Sequence, residues 1–211
     1  MPKALSRVEL QAQTREAVLA AAERVFLSNG YNATTMAQIA NEAGRTHGAI
    51  YGHFAGKEAL CQEILRRHYQ QLLGQVSTAL IAVDEITAKL VALEGQWRAV
   101  SAQTDWATLT AEYIFAARKD PEQQHSITET VDGLRAGIKA VLLAEAVHAE
   151  VTVDDPSLLD QAVISIAGVG IGLVIAQVLG TIDADGSAAS FVENVRMWLT
   201  RVGVPVQSMT A

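Results

Sequence analysis

Apolar residues recur three and four positions apart along almost the whole chain, and strict alternation is nearly absent. That spacing gathers them on one side of a helix. Val18, Ala21, Ala22, Val25 and Phe26 form the apolar stripe of a first helix over 8–28, and Asn29-Gly30 supplies its stop. Thr34-Thr35 offers a cap for a short helix over 36–43 that ends at Gly44. Thr46 caps another short helix, reaching about Gly52, and Gly56 precedes a long one over 57–81. Further helices are expected at 85–101, 105–118, 122–149, 157–180 and 187–202. Asp120-Pro121 and Asp155-Pro156 mark two of the breaks, since proline suits a first turn and not a helix interior. The expected fold is all-α, with a three-helix head at 1–55 and a larger helical body at 56–211.

Composition adds a bound and a polarity. The 211 residues are half apolar and 18% charged, which suits a packed core rather than a disordered chain. The net charge of -7 is unevenly spread: residues 1–70 carry eight basic and six acidic side chains, the rest eight and seventeen. A mildly basic head on an acidic body fits a module that meets phosphates at one end. A lone cysteine, Cys61, excludes an internal disulfide. The opening MPKALSRVELQAQTREA has no apolar stretch of the signal-peptide kind, so a cytoplasmic location is expected. Gln161–Ile182 is free of charge and long enough to raise the membrane question. Its glycines (Gly168, Gly170, Gly172) and its acidic flanks favour a helix buried in protein, with a partner subunit as one covering, over a membrane span.

The informative stretch runs from Thr34 to Leu60. Ile39 and Ala43 face inward on its first short helix, and Ile50 and Phe54 on and after its second. Gly44 can adopt the backbone angles of a tight turn between them. Such a crossed pair projects the start of its second helix into a DNA major groove. Arg45 is then a candidate for paired hydrogen bonds to guanine, and His47 for a less specific base contact. Thr46 can cap its helix and reach a phosphate. Thr35 joins it as a DNA-contact candidate. Ala49, next to Gly48, permits close approach and contact with a thymine methyl group. Tyr51, His53 and Lys57 suit the phosphate backbone, Lys57 adding its charge to a helix N-terminus. Lys3 and Arg7, ahead of the first helix, are candidates for a flanking groove.

Residues 14–60 resemble the N-terminal domain of the TetR family of transcriptional regulators. The shared features are Phe26 and Gly30-Tyr31, Thr34-Thr35, Ile39-Ala40 and Ala43-Gly44. They continue through Gly48, Ile50-Tyr51 and His53-Phe54 to Lys57-Glu58 and Leu60. The resemblance implies that Thr46, His47 and Tyr51 lie on the recognition helix and that Lys57 begins the linking helix. Gly52 departs from the larger residue many relatives carry, so one contact is in doubt there.

The resemblance also implies a homodimer paired through its last two helices. Ile164, Ile171, Val174, Ile175 and Val178 on the uncharged helix, and Phe191, Val195, Trp198, Leu199 and Val202 on the final one, are the apolar candidates. A two-fold dimer would need a palindromic operator in double-stranded DNA. A small-molecule effector pocket among the middle helices is implied too. Its candidate lining is Tyr69, Leu73, Trp97, Trp106, Leu109, Tyr113, Leu134 and Ile138, with Glu94 as polar handle and Glu112, His125 and Arg135 as further polar contacts. That apolar, aromatic set favours a hydrophobic or amphipathic effector. A repressor released by ligand is the first reading; an activator, or a repressor that needs a co-ligand, is the alternative.

Enzyme chemistry finds little support. The histidines (His47, His53, His68, His125, His148) show no zincin spacing, and no Gly-rich phosphate loop occurs. Neither metal nor cofactor is expected. A helical interaction protein without DNA binding is the remaining class.

Overall fold

A computed structural model of the chain describes residues 6–118 and 120–206, with only the backbone at 126. These residues hold nine α-helices and no strand: α1 (Arg7–Ala33), α2 (Met36–Ala43), α3 (His47–Tyr51), α4 (Lys57–Ile81), α5 (Ile86–Ser101), α6 (Thr104–Ala117), α7 (Pro121–His148), α8 (Pro156–Val178) and α9 (Ala184–Arg201). The fold is all-α, with a helix-turn-helix head and a larger helical bundle.

The first helix opens earlier than its apolar stripe suggests. Ser6 and Glu9 form a reciprocal capping box, the Ser6 hydroxyl accepting from the Glu9 amide and the Glu9 carboxylate accepting from the Ser6 amide. Arg7, expected ahead of the helix, is therefore its first residue; Lys3 lies outside the described residues. At the other end, Gly30 breaks the helical geometry (φ 76°, ψ 172°), where the stop was expected, and one more turn follows it to Ala33. Asp155 and Asp183 cap α8 and α9 by accepting from the Ser157 and Gly186 amides.

The chain divides into two compact units. In the first, the described residues up to Tyr69 join Thr108–Asp120. Its core is built from Val18, Ala22 and Phe26 of α1, Ile39 of α2, Ile50 of α3, Leu60 and Cys61 of α4, and Leu109 of α6, all essentially inaccessible to water. All three helices of the expected head lie in this unit.

The second unit comprises Gln70–Ala107 and the described residues from Pro121 onward. Its core gathers Leu90 of α5, Leu142 and Ala146 of α7, Leu159, Val163 and Ile166 of α8, Phe191, Val195, Trp198 and Leu199 of α9, and Val202 at its end. The α9 stripe, expected to face a partner, is thus covered by the same chain. Helix α5 lies along α9 and fills that role. Helix α8 is two-faced. One side enters this core, while Ile164, Ile171, Ile175 and Val178 remain exposed, Ile164 and Ile171 by more than 60%. By length and composition alone, α8 is also apolar enough to cross a bilayer.

Candidate nucleic-acid interface

The turn between α2 and α3 is fixed by backbone chemistry. Gly44 is left-handed (φ 61°, ψ 36°), which lets the Arg45 amide reach the Ala40 carbonyl at 3.0 Å and the Gly44 amide the Asn41 carbonyl at 3.1 Å. This is a Schellman ending, and it satisfies carbonyls that would otherwise hang free at the end of α2. Two residues later Thr46 starts α3, its hydroxyl oxygen accepting from the Ala49 amide at 3.2 Å. Its O–H still has a proton to donate. Thr35 does the same for α2, in a capping box with Gln38, so its hydroxyl is engaged locally.

Ile50 anchors α3 in the core and Phe54 follows it inward, with the Arg15 guanidinium 5.1 Å above the Phe54 ring. Burying those two residues turns Arg45, Thr46, His47 and Gly48 to solvent, with Tyr51 half exposed at 53% and Ala49 and His53 partly covered. The His47 and Tyr51 rings lie 6.3 Å apart, one helical turn from each other on the same face. Six of the eight expected DNA-contact residues, Arg45 through His53, thus fall on one short stretch. Thr35 sits at the start of the preceding helix.

Lys57 is differently placed. Its ammonium donates to the Tyr31 carbonyl at 3.0 Å and lies 4.4 Å over the Tyr31 ring, leaving two of three N–H donors for an outside anion. Tyr31 is the hub here: its hydroxyl donates to Glu58 at 3.3 Å, and its ring stacks on Phe26 and meets Tyr113 edge-on. Burial, with Glu58 beside it, raises the Tyr31 phenol above its ordinary range, so it stays protonated. Burial likewise pushes the Cys61 thiol up to about 12, which makes it an inert packing residue.

A charged lattice ties α1 to α4. Glu63 accepts from Arg15, Arg66 and Arg67, and Arg67 also pairs with Glu16 through two hydrogen bonds of 2.6 and 2.9 Å. Burial alone would raise the Glu63 carboxyl; the three guanidinium hydrogen bonds outweigh it and hold the group at about 2. On the other flank, Arg24 of α1 pairs with Glu42 of α2 at 2.8 Å. Helix α1, on which α2 packs, is thereby tied to both α4 and α2.

The residues expected to line an effector site fall into both units. In the first, Leu109 and Tyr113 are buried, the Tyr113 hydroxyl has no hydrogen-bond partner, and the Tyr69 hydroxyl shares a 2.9 Å hydrogen bond with the Thr110 hydroxyl. In the second, Trp97 stacks on Phe191 and its indole N–H donates to the Ser187 hydroxyl, while Ile138 packs on the core. Glu94 is taken up by Arg98, which also reaches Asp185. Leu73, Trp106 and Leu134 are half-buried. Of the further polar candidates, His125 pairs with Glu129 and Arg135 with Asp132 at the surface. Glu112 instead meets the end of α1 in the first unit. Among the described residues, no three His, Cys, Asp or Glu side chains gather to hold a metal ion.

A capped pair of short helices, joined by a left-handed glycine and followed by a long linking helix, defines a helix-turn-helix head on a helical body. Residues 18–64 match the family of bacterial regulatory proteins called tetR. Over 56 residues the chain is 54% identical to the HTH-type transcriptional repressor BepR of Brucella suis, covering 26% of this chain and 27% of BepR. Over 60 residues it is 48% identical to the HTH-type transcriptional regulator TtgR of Pseudomonas putida, covering 28% of this chain and 29% of TtgR. The matched stretch thus spans less than a third of either relative. The whole fold aligns with the transcriptional regulator FadR from Bacillus subtilis, solved with stearoyl-CoA: TM-score 0.70, 19% identity, 85% of this chain and 96% of that one. Residues 18–64 thus match the tetR helix-turn-helix domain, and the fold as a whole is shared with FadR.

Proposed function

We propose that this protein is a ligand-responsive, DNA-binding transcriptional regulator, and that it acts as a repressor released from a palindromic operator by a hydrophobic or amphipathic small molecule. The observation that carries the reading is the solvent-facing row Arg45, Thr46, His47 and Tyr51, ahead of and along a short helix whose other side is locked by Ile50. Helix starts of this kind enter the major groove with their first residues at the base edges. Arg45 supplies the bidentate reader, and Thr46, Tyr51, His53 and Lys57 supply phosphate contacts.

A five-residue reading helix makes few base contacts, so specific binding calls for two copies. The exposed apolar row of α8 is the surface on which a second copy would pair, setting the two reading helices about 34–36 Å apart. The effector class rests on the apolar and aromatic character of Tyr69, Leu73, Trp97, Trp106, Leu109, Tyr113, Leu134 and Ile138. It agrees with the amphipathic stearoyl-CoA of the FadR structure. The repressor assignment draws on BepR. A ligand releases DNA only by binding more tightly to an arrangement in which the reading helices are misplaced.

The deciding experiment is a mobility-shift titration with the DNA upstream of the protein's own gene. Sequence-specific retardation that Tyr51→Ala abolishes, with the dimer intact, supports the reading. No specific binding to any duplex overturns it.

A further inference from the structure

We infer that Glu112 of α6 is a positioning residue for the reading head: its carboxylate latches the end of α1, and through it the placement of α2 and α3. The inference rests on the proposed DNA-binding function and names a residue outside the reading face.

Glu112 accepts a hydrogen bond from the Asn32 amide at 3.2 Å. Its two carboxylate oxygens occupy the space of the side chain that Gly30 lacks: a Cβ there would lie 2.7 and 3.0 Å from them. Gly30 also has a positive φ, so the approach depends on glycine for both conformation and room. The neighbouring Tyr113 presses edge-on against Tyr31, with ring centroids 5.4 Å apart. Consecutive residues of α6 therefore grip consecutive residues of α1, and Lys57 and Glu58 of α4 hold Tyr31 from another side.

The held segment leads straight into the reading head. Thr34 is buried and donates to the Gly30 carbonyl at 2.7 Å, and Thr35 is already the cap of α2. From Glu112 to the start of α2 there is thus an unbroken chain of hydrogen bonds and backbone. Removing the carboxylate frees the Asn32 amide and the turn at Gly30, while no residue of the reading face is substituted.

The test uses full-length wild type, Glu112→Ala and Glu112→Gln. Glutamine keeps a carbonyl acceptor at the same reach, so it serves as the rescue variant. Two measurements are made: hydrogen exchange of the backbone from Gly30 to Tyr51, and affinity for a duplex that the wild type has selected from a random pool. The expected result for Glu112→Ala is about tenfold faster exchange at Asn32, extending into α2 and α3, and about tenfold weaker duplex binding, with glutamine within about threefold of wild type. Unchanged exchange, or faster exchange confined to Asn32 with duplex affinity retained, overturns the latch. If the wild type selects no duplex, the DNA-binding proposal falls. The latch is then decided by exchange alone: spread into α2 and α3 upholds it, and confinement to Asn32 refutes it.

Discussion

The indole N–H of Trp97 donates to the Ser187 hydroxyl at 2.9 Å, joining α5 to the first turn of α9. The same indole lies flat on Phe191, with ring centroids 3.6 Å apart. Ser187 is fully buried, so this hydrogen bond satisfies a hydroxyl that water cannot reach. It fixes both the rotation of α9 and the height at which α5 crosses it.

Gly170 of α8 leaves the room that arrangement needs. A Cβ there would stand 2.9 Å from the Trp97 ring and 3.3 Å from Phe191. Gly170→Ala is expected to push the indole off Phe191 and destabilise the protein by about 1–3 kcal/mol. A lower midpoint in urea, with an altered near-ultraviolet circular dichroism band, checks it; an unchanged midpoint would show that the stack yields freely.

Gly44 poses the opposite case. Nothing lies within 4 Å of the Cβ an alanine would bring, so only its left-handed backbone opposes the change. Gly44→Ala should cost about 1–2 kcal/mol by conformation alone. Denaturant titration measures that cost, and asparagine at the same site should recover part of it.

Arg45 is exposed just ahead of α3. Arg45→Ala is expected to lose about 1–3 kcal/mol of discrimination at one base pair of the site. Lys57→Ala should weaken all sequences alike and lower the salt dependence of binding. Titrations on matched and singly substituted duplexes at two salt concentrations separate the two patterns.

Glu63 makes stability depend on acid. Its carboxyl is held at about 2 in the folded chain, against an ordinary 4.5, so it binds fewer protons folded than unfolded. Its stabilising contribution is complete above pH 4.5, fades as the pH falls, and is lost below about 2. Glu63→Gln should therefore be less stable at neutral pH and flatten the pH dependence between 4.5 and 2. Thermal melts across that range, wild type against variant, supply the comparison.

On α8, Ile171 is 61% exposed at the middle of the apolar row. Ile171→Glu is expected to yield monomers and reduce operator affinity by about 100-fold or more, since the two reading helices would bind separately. Sedimentation velocity reads the first effect and the duplex titration the second. A variant that stays dimeric would move the pairing surface elsewhere.

Much of this arrangement is written in short-range sequence signals. Thr46 acts through a side-chain cap that reaches three residues along, and Gly44, Pro121 and Pro156 through their own backbone, so helix boundaries near them follow from residue type. Ser6 and Glu9 carried such a signal too, one that the apolar periodicity starting further on obscured. What a helix faces is a different matter. The rows on α8 and α9 have the same apolar character, yet α5 covers one and leaves the other bare, and nothing in either row encodes that choice. Glu112 is harder still. Its partner Asn32 lies 80 residues away, and the glycine that admits it resembles any helix stop.

The bare row on α8 also bears on dose. Under the proposed pairing, each chain carries an apolar ridge that water disfavours until a second chain arrives. At low abundance the number of paired molecules grows with the square of the amount synthesised. Operator occupancy would then answer steeply to how much of the regulator the cell makes, and the threshold of the switch would belong partly to the expression of its own gene.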